Sequence, residues 1–226
     1  MSAPVKFRKP ITIADERLAA RCARGRVVVI DDEPDILAAL AALIDMEGYA
    51  CETYGSAPAY LQNLSQKRPP FPGPSCVLCD VKMPELDGLK LQSRLAELDD
   101  TPLLLMSGAS GAHEAASAFR AGAVDFLIKP IDAEVLLAAI AKAITASTQR
   151  QQQHLRQVEL TTRIAALTER ERDIARRVAA GQTNPVIAEQ LGIALRTVKL
   201  HRQRAMEKVG AGGTADLVRI ADEGGL

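Results

Sequence analysis

The chain has 226 residues, 47% of them hydrophobic, and a formal net charge of zero, which allows one large domain or two modest ones, each able to bury a core. That zero is uneven, at +5 over residues 1–26, −9 over 27–149 and +4 over 150–226, the pattern of two domains of which the second faces a polyanion. No apolar stretch approaches the ~20 residues that cross a bilayer, the basic first residues lack the apolar core of a secretory signal, and the four cysteines lack a disulfide framework, so membrane and secreted classes are set aside and a cytoplasmic place is expected.

Residues 1–25 read as a basic, disordered tail. Val27–Ile30 is β-branched and continuous, as a strand buried on both faces should be. Pro34 suits the first turn of a helix, in which Ile36, Leu37, Leu40, Leu43 and Ile44 recur at helical spacing until Gly48. Tyr49–Tyr54 is a second strand, followed by a short helix to Leu64. Lys67–Ser75 (KRPPFPGPS) is a proline-rich loop that continues neither element. Then come Cys76–Cys79 as strand, Gly88–Leu98 as helix, Leu103–Met106 as strand, Ala112–Ala121 as helix, Val124–Ile128 as strand and Ala133–Ala146 as helix. Cys76 and Cys79 form a C-x-x-C with no second pair to complete a metal site, and within an apolar run they read as small buried hydrophobes. Five βα units predict a doubly wound α/β domain over residues 26–146, a parallel sheet with helices on both faces.

Residues 147–166, rich in Gln, Arg and Leu, predict a helical linker. From Leu167 the pattern is purely helical, and residues 167–226 read as a second, all-α domain of four helices. Thr168 and Glu171 have the spacing of a capping box, and Gly181 stops the helix they start. Asn184–Leu191, closed by Gly192, precedes a longer helix, Leu195–Val209, studded with basic residues, and Thr214–Ala221 is the fourth. A helix, a glycine turn and a longer basic helix is helix-turn-helix geometry.

Four of the apolar runs end in groups able to do phosphoryl chemistry: Asp31-Asp32, Asp80, Ser107 and Lys129-Pro130. In an open parallel sheet all of them fall at the carboxyl ends of the strands, where ligands bind. Three converging carboxylates repel one another and need a cation to stay ionised, and oxygen ligands suit Mg²⁺. One carboxylate can then attack a phosphoryl group, with Lys129 and Ser107 meeting its oxygens.

The acidic pair in VVVIDDEPD, Asp80 in CDVKMPELDG, Ser107 in LLMSG and Lys129-Pro130 in AGAVDFLIKP resemble the receiver domain of bacterial two-component response regulators. The resemblance implies a flavodoxin-like five-stranded sheet of order 2-1-3-4-5, with Asp80 accepting a phosphoryl group from a sensor histidine kinase. It implies that Asp31, Asp32, Asp80 and the backbone carbonyl of Lys82 hold Mg²⁺, with Mn²⁺ as a substitute, and that the Lys129-Pro130 bond is cis. Phe126 matches the aromatic that moves with Ser107, and Lys82 stands where the family varies its self-dephosphorylation rate. No other enzymatic activity is implied.

The stretch LTERERDIARRVAAGQTNPVIAEQLGIALRTVKLHRQRAMEKVGA resembles the LuxR-type DNA-binding domain, in the arrangement of the FixJ/NarL group. By that resemblance Lys199, Leu200 and Gln203 face base edges, while Arg196, Thr197, Arg202 and Lys208 contact phosphates. The sequence departs from the family at Ala194, where a capping Ser, Thr or Asp is usual, and at Pro185, where a basic or polar residue is frequent. The resemblance implies a transcriptional regulator that dimerises on phosphorylation and binds double-stranded promoter DNA, with RNA polymerase as a further partner and no membrane. A phosphorylation-independent regulator of the same build is the alternative. A doubly wound phosphatase leaves the helix-turn-helix unexplained, and an interaction scaffold leaves its cations unexplained.

Overall fold

The computed structural model describes residues 24–66, 71, 73–98, 101–108 and 112–226. The chain divides between Gln151 and Gln152 into two compact units. Of the tail expected over residues 1–25 and the proline-rich loop over 67–75, residues 1–23, 67–70 and 72 lie outside the described residues.

The first unit alternates β1 (Arg26–Ile30), α1 (Pro34–Met46), β2 (Ala50–Tyr54), α2 (Ala57–Ser65), β3 (Ser75–Asp80), α3 (Gly88–Leu98), β4 (Leu103–Ser107), α4 (Ala112–Arg120) and β5 (Asp125–Ile128), and then enters α5 (Ala133–Ala165). The five strands form one parallel sheet in the order β2-β1-β3-β4-β5. Successive strand side chains point to opposite faces, so each run feeds two cores. Val28, Ile30, Val77, Cys79 and Leu105 pack with Tyr60, Leu91, Leu95 and Ala118 of α2, α3 and α4. Val27, Val29, Cys76, Leu78 and Leu104 pack with Ile44, Leu136 and Ile140 of α1 and α5. Val27 to Ile30 are each 0% exposed, and each such side chain stabilises the fold by about 1.5–3 kcal/mol. Cys76 and Cys79 therefore face different cores. Burial pushes the Cys76 thiol up to about 12 and the Cys79 thiol well above its ordinary value, which makes both poor nucleophiles.

The helical linker expected over residues 147–166 continues the last helix of this unit, which runs unbroken to Ala165. No Gly or Pro interrupts residues 133–165, and the good helix formers of that stretch let the ladder continue. Within the first unit Ser147 Oγ accepts from the Ser75 backbone N–H at 3.0 Å, and Gln151 donates to the Gly73 carbonyl at 3.0 Å.

The second unit contains the end of α5 and α6 (Glu169–Ala179), α7 (Asn184–Leu191), α8 (Leu195–Val209) and α9 (Thr214–Gly224). Its core joins Ile164 and Leu167 to Ile174, Val178, Ile187, Val198, Ala205, Val209, Leu217 and Ile220. The capping box opens α6, with Thr168 Oγ1 accepting from the Glu171 N–H and the Glu171 side chain accepting from the Thr168 N–H. Between α7 and α8 the chain turns through Gly192 at φ +62°, the left-handed conformation that glycine adopts without steric cost. Ala194 leaves the start of α8 without a side-chain cap.

Candidate functional site

β1 and β3 are neighbours, and the chain leaves β1 for β2 on one side and returns to β3 on the other. This is the point in a doubly wound sheet where strand order reverses and a crevice opens. Asp31 follows β1 and Asp80 ends β3, and they are 0% and 6% exposed. Lys129, at the end of β5, reaches between them, with its Nζ 2.8 Å from Asp31 Oδ2 and 2.7 Å from Asp80 Oδ1. Burial pulls the Lys129 pKa down, but the hydrogen bonds and charges of the two carboxylates outweigh it and hold the ammonium above its ordinary value. The remaining oxygens accept from backbone, Asp31 Oδ1 from the Glu33 N–H at 2.9 Å and Asp80 Oδ2 from the Lys82 N–H at 2.7 Å.

Ser107 ends β4 and is fully buried. Its carbonyl accepts from the Lys129 N–H at 2.8 Å, which ties the ends of β4 and β5 together. The Lys129-Pro130 bond is cis. Phe126, half-buried on β5, packs against the core shared by α2, α3 and α4.

Three carboxylates were expected to meet at these strand ends. Asp31 and Asp80 come together, but Asp32 is exposed, and among the described residues no three acidic, His or Cys side chains gather as a metal-holding group. Asp31 ends the buried run, so the next residue along passes into solvent, and it is the Lys129 ammonium that compensates the two buried carboxylates. The donor set still fits Mg²⁺, which takes one or two carboxylates and keeps several waters. Each carboxylate oxygen of Asp31 and Asp80 accepts one hydrogen bond here and has a second lone pair. The Lys82 carbonyl and Asp32 supply further hard oxygens at the same strand ends.

Gly88 carries no signal of function in the sequence beyond its helix-starting position. In the structure its N–H donates to the Val81 carbonyl at 3.0 Å, and a Cβ there would stand 2.5 Å from the Asp80 carbonyl oxygen. Only glycine lets the start of α3 pass this close to Asp80. In the loop before it, Glu85 has φ +65°, a left-handed conformation that costs a non-glycine residue about 1–2 kcal/mol.

In the second unit, α8 exposes Arg196, Lys199, Leu200, Gln203 and Arg204, while Val198, Ala205 and Val209 anchor its other face in the core. Arg196, Lys199 and Arg204 make no hydrogen bond or ion pair among the described residues, so their charges face solvent. Thr197 is half-buried, and Gln203 donates to Glu207 at 2.9 Å. Lys208, expected at a phosphate, also makes contacts within the unit. Its Nζ lies 2.6 Å from Oε2 of Glu171, which is 3% exposed, and donates to the Ala166 carbonyl at 3.2 Å. This pair with a buried carboxylate joins α8 to α6. Arg202 is also engaged, donating to Asn184 Oδ1 at 3.0 Å and to Thr214 Oγ1 at 2.7 Å.

Residues 27–141 match the response regulator receiver domain family, and residues 165–221 match the family of bacterial regulatory proteins of the LuxR type. Transcriptional regulatory protein FixJ of Bradyrhizobium diazoefficiens is 34% identical over 206 residues, covering 90% of this chain and 97% of that protein. Response regulator protein TodT of Pseudomonas putida is 34% identical over 87% of this chain and 85% of its own length. Tetrathionate response regulatory protein TtrR of Salmonella typhimurium is 33% identical over 84% and 89%. Among solved structures, response regulator StyR superposes with a TM-score of 0.76 at 31% identity, over 89% of this chain and all of that one. Full-length FixJ from B. japonicum superposes with a TM-score of 0.54 at 32% identity, over 90% and 98%.

Proposed function

This chain belongs to the response regulators that join a receiver domain to a LuxR-type DNA-binding domain, and on that premise we propose that it is a transcriptional regulator switched by phosphorylation at Asp80. Residues 26–146 are its receiver, 147–166 its helical linker, 167–226 its DNA-binding domain, and 1–25 a basic tail.

The observation that carries this reading is the Lys129 ammonium held between the buried carboxylates of Asp31 and Asp80. Asp80 is the nucleophile: its carboxylate oxygen forms a bond to the phosphorus of a sensor histidine kinase's phosphohistidine as the P–N bond breaks and the imidazole leaves. Lys129 moves its charge onto an oxygen of the transferred group. Ser107 donates its hydroxyl to another, and Phe126 follows Ser107. Receiver domains take Mg²⁺ for phosphorylation; here Asp31, Asp80, the Lys82 carbonyl and Asp32 would hold it, and it supplies neutralisation of the phosphoryl charge. Lys82 sets the lifetime of the phosphoryl group. The phosphorylated receiver favours a homodimer, and two copies of α8 then read two half-sites of promoter DNA. Lys199, Leu200 and Gln203 face the bases, and Arg196, Thr197, Arg202 and Lys208 the phosphates.

The test measures particle size and promoter binding with and without beryllofluoride and Mg²⁺. The wild type is expected to dimerise and bind more tightly when treated, and Asp80→Asn to ignore the treatment. A treated wild type that stays monomeric with unchanged DNA affinity would overturn the phosphorylation switch.

A further inference from the structure

Arg202 projects from the middle of α8, and its guanidinium is fixed at both ends by residues from other helices. One terminal nitrogen donates to Asn184 Oδ1, at the start of α7, at 3.0 Å. The other donates to Thr214 Oγ1, at the start of α9, at 2.7 Å. A guanidinium has five N–H donors, so two acceptors fix its plane and leave donors for a third partner. Beside it opens a depression of about 370 Å³, larger than a phosphate group. Lys199, one turn earlier on α8, lines the same depression. The one carboxylate on its wall, Glu207, has Oε1 taken by the Gln203 amide at 2.9 Å.

We propose that Asn184 and Thr214 are positioning residues that hold the Arg202 guanidinium as a preformed clamp for one backbone phosphate of DNA. The inference rests on the DNA-binding reading and adds to it the helices that aim the arginine. An arginine free in solvent loses rotamer freedom when it grips a phosphate, whereas one already held loses little. Asn184 Oδ1 and Thr214 Oγ1 are both occupied as acceptors of the Arg202 hydrogen bonds, so in this proposal each acts on affinity through Arg202. Thr214 lies outside the helix-turn-helix itself, and nothing in its local sequence marks it.

Phosphate contacts carry the salt dependence of DNA binding, and that separates a clamp from a mere tie between helices. The experiment uses the full chain, treated with beryllofluoride and Mg²⁺, on a random-sequence duplex across a range of KCl concentrations. Arg202→Ala is expected to weaken binding and to reduce the slope of log K against log salt by about 1. Thr214→Val keeps every charge and is expected to bind about 2- to 10-fold more weakly with the wild-type slope. Thr214→Ser, which keeps the hydroxyl, is expected to bind as wild type. The proposal is overturned if Arg202→Ala melts earlier yet keeps the wild-type slope, because Arg202 is then a structural tie alone. It is equally overturned if Thr214→Val, folded by its melting curve, binds like the wild type. A wild-type chain that binds no duplex in this state sinks the DNA-binding reading, and the clamp with it.

Discussion

One ammonium between two buried carboxylates leaves a negative charge uncompensated, so the Asp31–Lys129–Asp80 triad is stable yet still attractive to a cation. The same contacts that hold Lys129 at rest place it within reach of whatever Asp80 later carries. How tightly this works depends on the backbone of Asp80, and there Gly88 is decisive. A Cβ at position 88 would meet the Asp80 carbonyl oxygen at 2.5 Å and the Leu105 side chain at 3.0 Å, and backbone on one side leaves little room to yield. Gly88→Ala is expected to cost about 1–3 kcal/mol of stability, the usual range for overpacking, and to slow phosphorylation by a small-molecule donor such as acetyl phosphate. Thermal melting reads the first and a phosphorylation time course the second. A destabilised variant that takes up phosphoryl at the wild-type rate would show the loop yielding without moving Asp80. The chemical groups at the strand ends were legible in sequence because each follows an apolar run. The close approach at Gly88 was not, since the sequence names a glycine without naming what stands against it.

At the scale of the element, α6 and α8 are joined by a pair that neither helix announces alone. The Thr168–Glu171 spacing marks a capping box in the sequence, and the box is present. What spacing could not show is that Glu171 also binds Lys208, 37 residues further on, because such a pairing depends on how the helices pack. The hydrogen bond from Lys208, then that from the Thr168 backbone, lowers the Glu171 pKa to about 2 against the opposing effect of burial. A carboxylate whose folded pKa is depressed stabilises the fold above its unfolded pKa of about 4.3 and loses that contribution as pH falls towards the folded value. The second unit is therefore expected to lose stability between about pH 4.5 and 2 through this residue. Glu171→Gln should melt earlier than the wild type at pH 7, with the gap closing as the pH falls through that window. A gap that stays constant with pH would mean that the carboxylate's charge contributes nothing there. The same logic explains why the tie between Lys208 and α6 was not legible in the sequence. A basic residue on a basic helix carries no local sign of an acidic partner from another helix.

At the scale of the whole molecule, the three hydrophobic clusters are divided between the units, two flanking the sheet and one within the C-terminal helices. Each unit thus has its own core and is expected to fold alone. The sequence places the start of the C-terminal domain at Leu167, where the amphipathic pattern becomes clear. In the structure the core reaches further back, since Ile164 is 7% exposed and Leu160 packs against the same cluster. A Cβ on Gly224 of α9 would strike Ile164 at 2.2 Å and Leu160 at 3.3 Å, so the end of α5 lies directly against α9. Gln157 and Arg163 add hydrogen bonds to the Glu223 and Val209 carbonyls at 3.1 and 3.4 Å. These contacts were hidden in sequence because Leu160 and Ile164 stand among exposed polar residues, where two apolar side chains do not define a face. A fragment of residues 152–226 should consequently be more stable than one of residues 167–226. Burying one Leu or Ile contributes about 1.5–3 kcal/mol, so the shorter fragment is expected to lose about 2–5 kcal/mol once the partial exposure of Leu160 is allowed for. Urea denaturation of the two fragments measures the difference directly. Equal midpoints would mean that the last turns of α5 merely lie on the C-terminal core, whereas the expected gap makes them part of it.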